Sequence, residues 1–438
     1  MNKIRRNHTY LTGILLAVNA IKRSYLLIDG PDCTYKKIES IEKNHDFFTK
    51  LFRQDGKHVF GSTVADVKRV IHDRMDQLEH QIIQFTKQDG AEAVFLSSLP
   101  MASLTGVDYN LFKKKIATKK PIINLPYKSL DKDWLDGYAD TQKAIAKEME
   151  FSKEKKQKHK IGIVGYMFDR NEGDHKGNIT EMKRWMEALG LELVSVWFDG
   201  RNYSDLHSIE EAGLIISLPY AREAARIITE KTGAKLLKLG LPMGFDGTRR
   251  WIRAVAEETN TKEKAEAFID EELRQCLPVL EWVVPEFFQQ KKVSLIGDPY
   301  LMDALSYALE ELDVEINELI LFSTPDRKDA LTHCKGKNFY FDLDDPADSR
   351  PLHFAIGNSD GSELYSNVPY IEFGYPSYGY HAFFTQPFLG FKGFLIFINR
   401  LVNRMEYDIY RIDEEIQKAE EQPATENSIS ETMQQIKK

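Results

Sequence analysis

Cysteine is scarce: the 438 residues hold three, Cys33, Cys276 and Cys334. An odd, widely spaced set is no disulfide framework, and a reducing compartment would keep such thiols free. No CxxC pair occurs, so one copy of the chain cannot present a four-cysteine cluster site by itself. GxGxxG is also missing, as is GxxxxGK followed by Ser or Thr, which removes the common glycine loops that cradle phosphates. Basic residues are not in excess. Against 59 Lys and Arg stand 67 Asp and Glu, a formal net charge of −8, and a broad nucleic-acid footprint needs the opposite balance. No apolar run reaches the roughly 20 residues of a membrane span. Leu11–Ile21 is short, and Phe388–Val402 is interrupted by Lys392, Asn399 and Arg400. The basic start followed by apolar Leu11–Val18 has the outline of a signal peptide, but Asn19, Lys22 and Arg23 stand where small cleavage-site residues belong. A cytoplasmic protein with neither a membrane nor a nucleic-acid partner is therefore expected.

What is present is apolar material for several cores, 42% hydrophobic and 11% aromatic, in a length that predicts two or three domains. Short apolar runs alternate with longer amphipathic stretches, the pattern of βαβ units and parallel sheets. Strands are predicted at Tyr25–Asp29, His58–Gly61, Ala93–Ser97 and Pro121–Leu125, with helices between them. The polar run Phe151–Lys158 closes this first unit, and Ile161–Gly165 opens a second. Its predicted elements are a helix at Ile179–Leu189, strands at Leu193–Phe198, Leu214–Leu218 and Leu236–Leu239, and a helix at Ala221–Lys231. A long helix over Lys262–Gln290, kinked at Pro278, leads to a third unit starting at Val293–Gly297. The reading is an α/β chain of three Rossmann-like domains with parallel sheets flanked by helices, at 1–157, 158–290 and 291–420, ahead of a disordered polar tail, 421–438. Gly30-Pro31 and Leu99-Pro100 lie just past strand ends, where such sheets bind ligands.

Four segments together resemble the nitrogenase component 1 family, which includes the molybdenum-iron protein subunits, their cofactor-assembly scaffold, the dark-operative protochlorophyllide reductase and the cyclase-type reductase of nickel-tetrapyrrole synthesis. Leu27-Ile28-Asp29-Gly30-Pro31-Asp32-Cys33 is similar to the family's strand, Gly-Pro turn and cluster cysteine. Val59–Thr63 resembles its strand ending in Gly before a long helix. Ser97–Asp108 resembles its cysteine-bearing loop, and Tyr370–Ser377 with Pro387–Gly393 its late Pro-containing strand end and glycine-marked helix entry. The resemblance implies three α/β domains and a subunit of a nitrogenase-like reductase complex. It implies two partners: a paralogous or identical component 1-like subunit, and an iron-protein-like ATP-dependent reductase. It also implies an iron–sulfur cluster, of the [4Fe-4S] type and shared between subunits.

The family's pattern is incomplete here. Near Tyr10–Thr12 and Leu99–Pro100, where further cluster cysteines are expected, there are none. The cofactor cysteine expected near Leu218–Pro219 and the cofactor histidine near Tyr375–Pro376 are absent too. Cys33 is the one residue on a metal-ligand position, with Gly30 and Asp32 as further cofactor-binding residues. A cysteine at a helix start is favoured as thiolate, the form that binds iron. Cys276 among leucines reads as core, and Cys334 beside His333 as a loop residue. His381, in an aromatic stretch with Tyr380 and Phe383, is either a packed aromatic-loop residue or the expected proton donor to a substrate between domains. Arg222 and Arg226 either face that cavity or form surface ion pairs. Two other functions share the pattern: a cofactor-assembly scaffold, and a non-catalytic partner subunit or small-molecule sensor.

Overall fold

The computed structural model describes residues 9–30, 59–62, 74–99, 108–125, 127, 132–169, 171–324, 327, 331–333, 339–341, 352–365 and 368–421, without the side chains of residues 59–62, 74, 111–112, 339–341, 409 and 411–421. The apolar run after the basic start is a core helix, α1 (Tyr10–Asn19), with nine of its ten residues buried. A helix apolar on all sides needs cover on all sides. It lies against α4 (Trp134–Glu148), and two glycines let the backbones touch. A Cβ on Gly13 would stand 1.7 Å from the Trp134 carbonyl oxygen, and one on Gly137 2.0 Å from that of Tyr10.

Three all-parallel sheets follow one another along the chain. The first joins β1 (Ser24–Asp29), β2 (Val59–Ser62), β3 (Ala93–Ser98) and β4 (Ile122–Asn124) in the order β2-β1-β3-β4. The second joins β5 (Gln157–Val164), β6 (Glu192–Val196), β7 (Ala212–Ser217) and β8 (Lys235–Lys238) as β6-β5-β7-β8. The third joins β9 (Lys292–Gly297), β10 (Glu315–Leu321), β11 (Phe339–Phe341), β12 (Phe354–Gly357) and β13 (Tyr370–Glu372) as β11-β10-β9-β12-β13.

Burial explains why the strands read as continuous apolar runs. On β1 and β3 alternate residues point to opposite faces, and both faces are covered, as parallel sheets require. Leu26, Ile28 and Phe95 join the main core. Tyr25, Leu27, Val94 and Leu96 meet Leu78, Ile82 and Phe85 of α2 (Arg74–Lys87). A short α3 (Tyr109–Lys115) precedes β4.

The helices of the other two units are α5 (Glu172–Ala188), α6 (Arg222–Thr232), α7 (Phe245–Thr259), α8 (Lys262–Val283), α9 (Pro299–Glu310) and α10 (Gly390–Glu421). α8 buries Ala265, Ile269, Glu272, Cys276, Leu280 and Val283 as one stripe of helical spacing. It is shorter than the expected Lys262–Gln290. Pro278 sits inside it, and at Val284–Phe288 the coil widens to a π-helical turn around Pro285, which has no N–H to give. No described helix is long and apolar enough to cross a membrane.

Candidate functional site

In each sheet the strand order reverses once, between β1 and β3, β5 and β7, and β9 and β12. Chains leaving the carboxyl ends at such a point diverge and open a crevice. In the first sheet the two turns singled out in the sequence meet there: the Leu99 amide donates to the Asp29 carbonyl (2.8 Å), and Gly30 is buried beside them. Asp29 itself is buried and takes the Tyr109 hydroxyl at 2.5 Å. Asp32, Cys33 and Cys334 lie outside the described residues.

The crevices of the second and third sheets open into one central cavity of about 40 Å³. Trp134 of α4 covers it from the first unit. At the β5 end, Gly165 adopts φ +85°, and a Cβ there would stand 2.6 Å from the Leu218 carbonyl oxygen. That turn delivers Tyr166 and Asp169 to the cavity, and the first turn of α5 adds Asp174 and His175. Tyr220 follows β7, Asp298 follows β9, and Tyr380 and Arg400 come from the segment after β13 and from α10.

His175 is 4% exposed and bonded at both ring nitrogens, Nε2 to Asp169 Oδ1 (2.7 Å) and Nδ1 to the Tyr166 hydroxyl (2.8 Å). Asn178 fixes the proton positions. Its Oδ1 accepts from the Phe388 and Leu389 amides (2.8 and 3.0 Å), so its Nδ2 donates to the Tyr166 hydroxyl (2.9 Å). That hydroxyl then gives its own proton to Nδ1, and the neutral imidazole carries its hydrogen on Nε2, toward Asp169. Burial opposes a charge on the ring, but Asp169, then Asp174 and Glu172, outweigh it and raise its proton affinity. A second proton at His175 requires the Tyr166 hydroxyl to turn away, so the two move together.

Two further carboxyls are tuned toward neutrality. Burial pushes Asp174 up to about 6, against Arg400, His175 and the Tyr380 hydroxyl at 3.1 Å. Burial pushes Asp298 up to about 6 as well, against the Tyr220 hydroxyl (2.7 Å) and the Tyr300 and Leu301 amides, whose helix α9 it caps. The Arg400 guanidinium lies 3.5 Å from the centre of the Tyr380 ring. A cluster with both raised carboxyls and a bonded imidazole can store and pass protons near neutral pH.

It does not fit a metal–sulfur cofactor. No thiol among the described residues lines the cavity, and a volume of about 40 Å³ holds about three waters. Among the described residues no group of three His, Cys, Asp or Glu side chains is arranged to hold a metal. Cys276, the free cysteine among them, is buried on α8, where burial pushes its thiol up to about 11. That is the reverse of a ready ligand.

His381, the expected proton donor, is solvent-exposed, its ring 5.8 Å from that of Phe383, and it does not line the cavity. His175 takes the buried position. Of the two arginines, Arg226 is a surface residue paired with Glu223 and Glu230. Arg222 instead lines a separate cleft between the second and third units.

A family model described as nitrogenase component 1 type oxidoreductase matches residues 10–406. The nitrogenase molybdenum-iron protein beta chain of Clostridium pasteurianum is 26% identical over 289 residues, 55% of this chain and 62% of that one. The light-independent protochlorophyllide reductase subunit N of a Synechococcus species is 26% identical over 142 residues, 32% of this chain and 30% of that one. The chain thus spans less than two thirds of these relatives. Among solved structures, one titled nitrogenase Cp1 at pH 6.5 superposes with a TM-score of 0.76 over 94% of this chain and 95% of that one, at 17% identity.

Proposed function

This chain belongs to the nitrogenase component 1 type oxidoreductases, and on that premise we propose that it works as one subunit of a nitrogenase-like reductase complex. In this reading an ATP-dependent iron-protein-like reductase docks on the complex, and electrons cross to a second component 1-like subunit, paralogous or identical. Cys33 is this chain's thiolate to a [4Fe-4S] cluster shared across the subunit contact. Such a cluster supplies one-electron transfer. The observation that carries the reading is the meeting of the Gly30 and Leu99 turns at the order reversal of the first sheet, the crevice from which Cys33 is three residues removed. Exposed Phe383 and Phe384 after β13, and Trp282 on α8, are surface that a second subunit would cover.

The central cavity supports a second reading for the substrate. It is about 40 Å³, offers no thiolate among the described residues and is crossed by its own hydrogen bonds, which favours reduction on the paired subunit with this chain as its non-catalytic partner.

The assembly is to be purified without oxygen, as wild type and as Cys33→Ser. Loss of iron, sulfide and brown colour from the variant is expected, and colour, iron content and electron acceptance that all survive unchanged would sink the cluster assignment. His175→Gln separates the two readings of the substrate. Turnover that falls places the chemistry in this chain, and turnover that persists places it in the partner.

A further inference from the structure

The cleft that holds Arg222 is larger than the central cavity, about 440 Å³, within the usual range for small-molecule sites. It opens where β7 and β8 end, at Pro219 and at Leu239–Leu241, and is closed from the other side by one face of α9. Leu241 lines both spaces.

Its walls carry hydrogen-bond donors with too few acceptors. Arg222 reaches only backbone carbonyls, those of Ser217 and Leu239, and pairs with no carboxylate among the described residues. Arg250 lies 4.1 Å from the centre of the Tyr307 ring, and the carboxylate it approaches, Asp246 at 3.1 Å, is shared with Arg249 and the Tyr307 hydroxyl. The one carboxylate among the described residues of the wall, Asp303, is occupied by the Thr332 and His333 amides and the Thr332 hydroxyl at 2.9–3.2 Å.

The wall is also kept bare. Gly240 and Gly247 border the cleft, and a Cβ on either would meet nothing within 4 Å. Gly247 lies inside α7, where alanine makes a more stable helix than glycine. No neighbour in this structure forbids the side chain, so an occupant of the cleft is the natural reason to omit it.

We propose that this cleft binds a small molecule bearing carboxylate or phosphate groups, held by Arg222 and Arg250. Arg250 is preset by its ring contact and by Asp246, which lowers the ordering entropy of binding, and guanidinium groups suit planar oxyanions. The proposal does not depend on the redox reading.

The test uses the full chain, titrated with potassium phosphate and separately with potassium citrate at constant ionic strength, read by tryptophan fluorescence and calorimetry. Saturable binding of at least one anion is expected. Citrate alone would indicate a polycarboxylate and phosphate alone a phosphate ester. Arg250→Gln removes a donor, and Gly247→Leu fills the cleft where space is open. Each should weaken binding at least about tenfold and leave the ligand-free melting temperature close to wild type. Arg222 is avoided because it ties two strand ends. The inference is overturned if neither anion saturates, or if affinity is unchanged in Arg250→Gln, the variant least able to disturb folding.

Discussion

Asp298→Asn isolates one buried proton. Asp298 is 5% exposed, caps α9 and accepts the Tyr220 hydroxyl. Burial lifts its carboxyl from 3.8 to about 6. At low pH the acid is protonated folded and unfolded, and its titration costs nothing. As pH rises the unfolded chain ionises first, and the folded chain must then ionise against burial, so stability is lost through about pH 6. A shift of that size is worth about 3 kcal/mol at full ionisation, with about 2 kcal/mol appearing between about pH 4 and pH 6. Asparagine keeps an oxygen for the Tyr300 and Leu301 amides and does not ionise. It weakens the Tyr220 bond by about 1 kcal/mol, independent of pH. Other groups titrate in the same range in both proteins and cancel in the difference. Urea unfolding followed by tryptophan fluorescence at several pH values gives that difference directly. The variant should be less stable than wild type near pH 4 and gain about 2 kcal/mol on it by pH 6. Parallel stability curves would refute the claim that this carboxyl titrates near neutrality.

Two further substitutions test the frame. Gly13→Ala puts a methyl 1.7 Å from the Trp134 carbonyl oxygen, and neither backbone can yield without separating α1 from α4. A loss of about 3 kcal/mol or more is expected, read as a fall in urea midpoint, and a wild-type midpoint would mean that the two helices do not meet so closely. Arg184 of α5 grips Glu272 of α8 with two bonds of 2.7 Å and Glu181 with another of 2.7 Å. Arg184→Met leaves Glu272, 4% exposed, without that partner. Allowing for the partly exposed arginine, the expected loss is about 2 kcal/mol, and an unchanged melting temperature would show that the clamp contributes nothing.

How much of this was legible in the sequence depended on which physical signal each element carries. Strands buried on both faces, such as Tyr25–Asp29 and Ala93–Ser98, announce themselves because every residue must be apolar. α7 has no counterpart among the elements predicted from the sequence. Its buried Phe245, Thr248, Trp251, Ile252 and Val255 nevertheless keep helical spacing, a signal available in the sequence. β12, Phe354–Gly357, is only four residues long and carries no periodicity to find. The helix expected from Ile179 begins at Glu172, because Gly173, Gly177 and the polar residues between them read as loop. The same composition hid His175. Helical packing against the segment around Phe388 stabilises a stretch whose own propensity is poor, and that long-range contact has no local signature. A warning was there all the same: Asp169, Asp174, His175 and Asn178 crowd into ten residues immediately after a strand that ends in Gly165. His381 stood out only because its neighbours are aromatic, and aromatic neighbours are as common on an exposed interface as in a core.

The polar bonds around the cavity join parts of the chain far apart in sequence. Trp134 donates to the Phe322 carbonyl, Tyr220 to Asp298, Tyr380 to Asp174, and the Phe388 and Leu389 amides to Asn178. Opening the cavity wide enough for a substrate would break several of these at once and leave buried donors and acceptors unpaired, at about 1–3 kcal/mol each. The proton states are less tightly held, because Asp174 and Asp298 both sit near 6. A proton can therefore enter or leave this centre near neutral pH at little energetic cost, whereas a molecule larger than a few waters would have to displace several of these bonds. On the second reading of the substrate the centre of this chain braces the subunit contact, and the room for reduction chemistry lies in the partner.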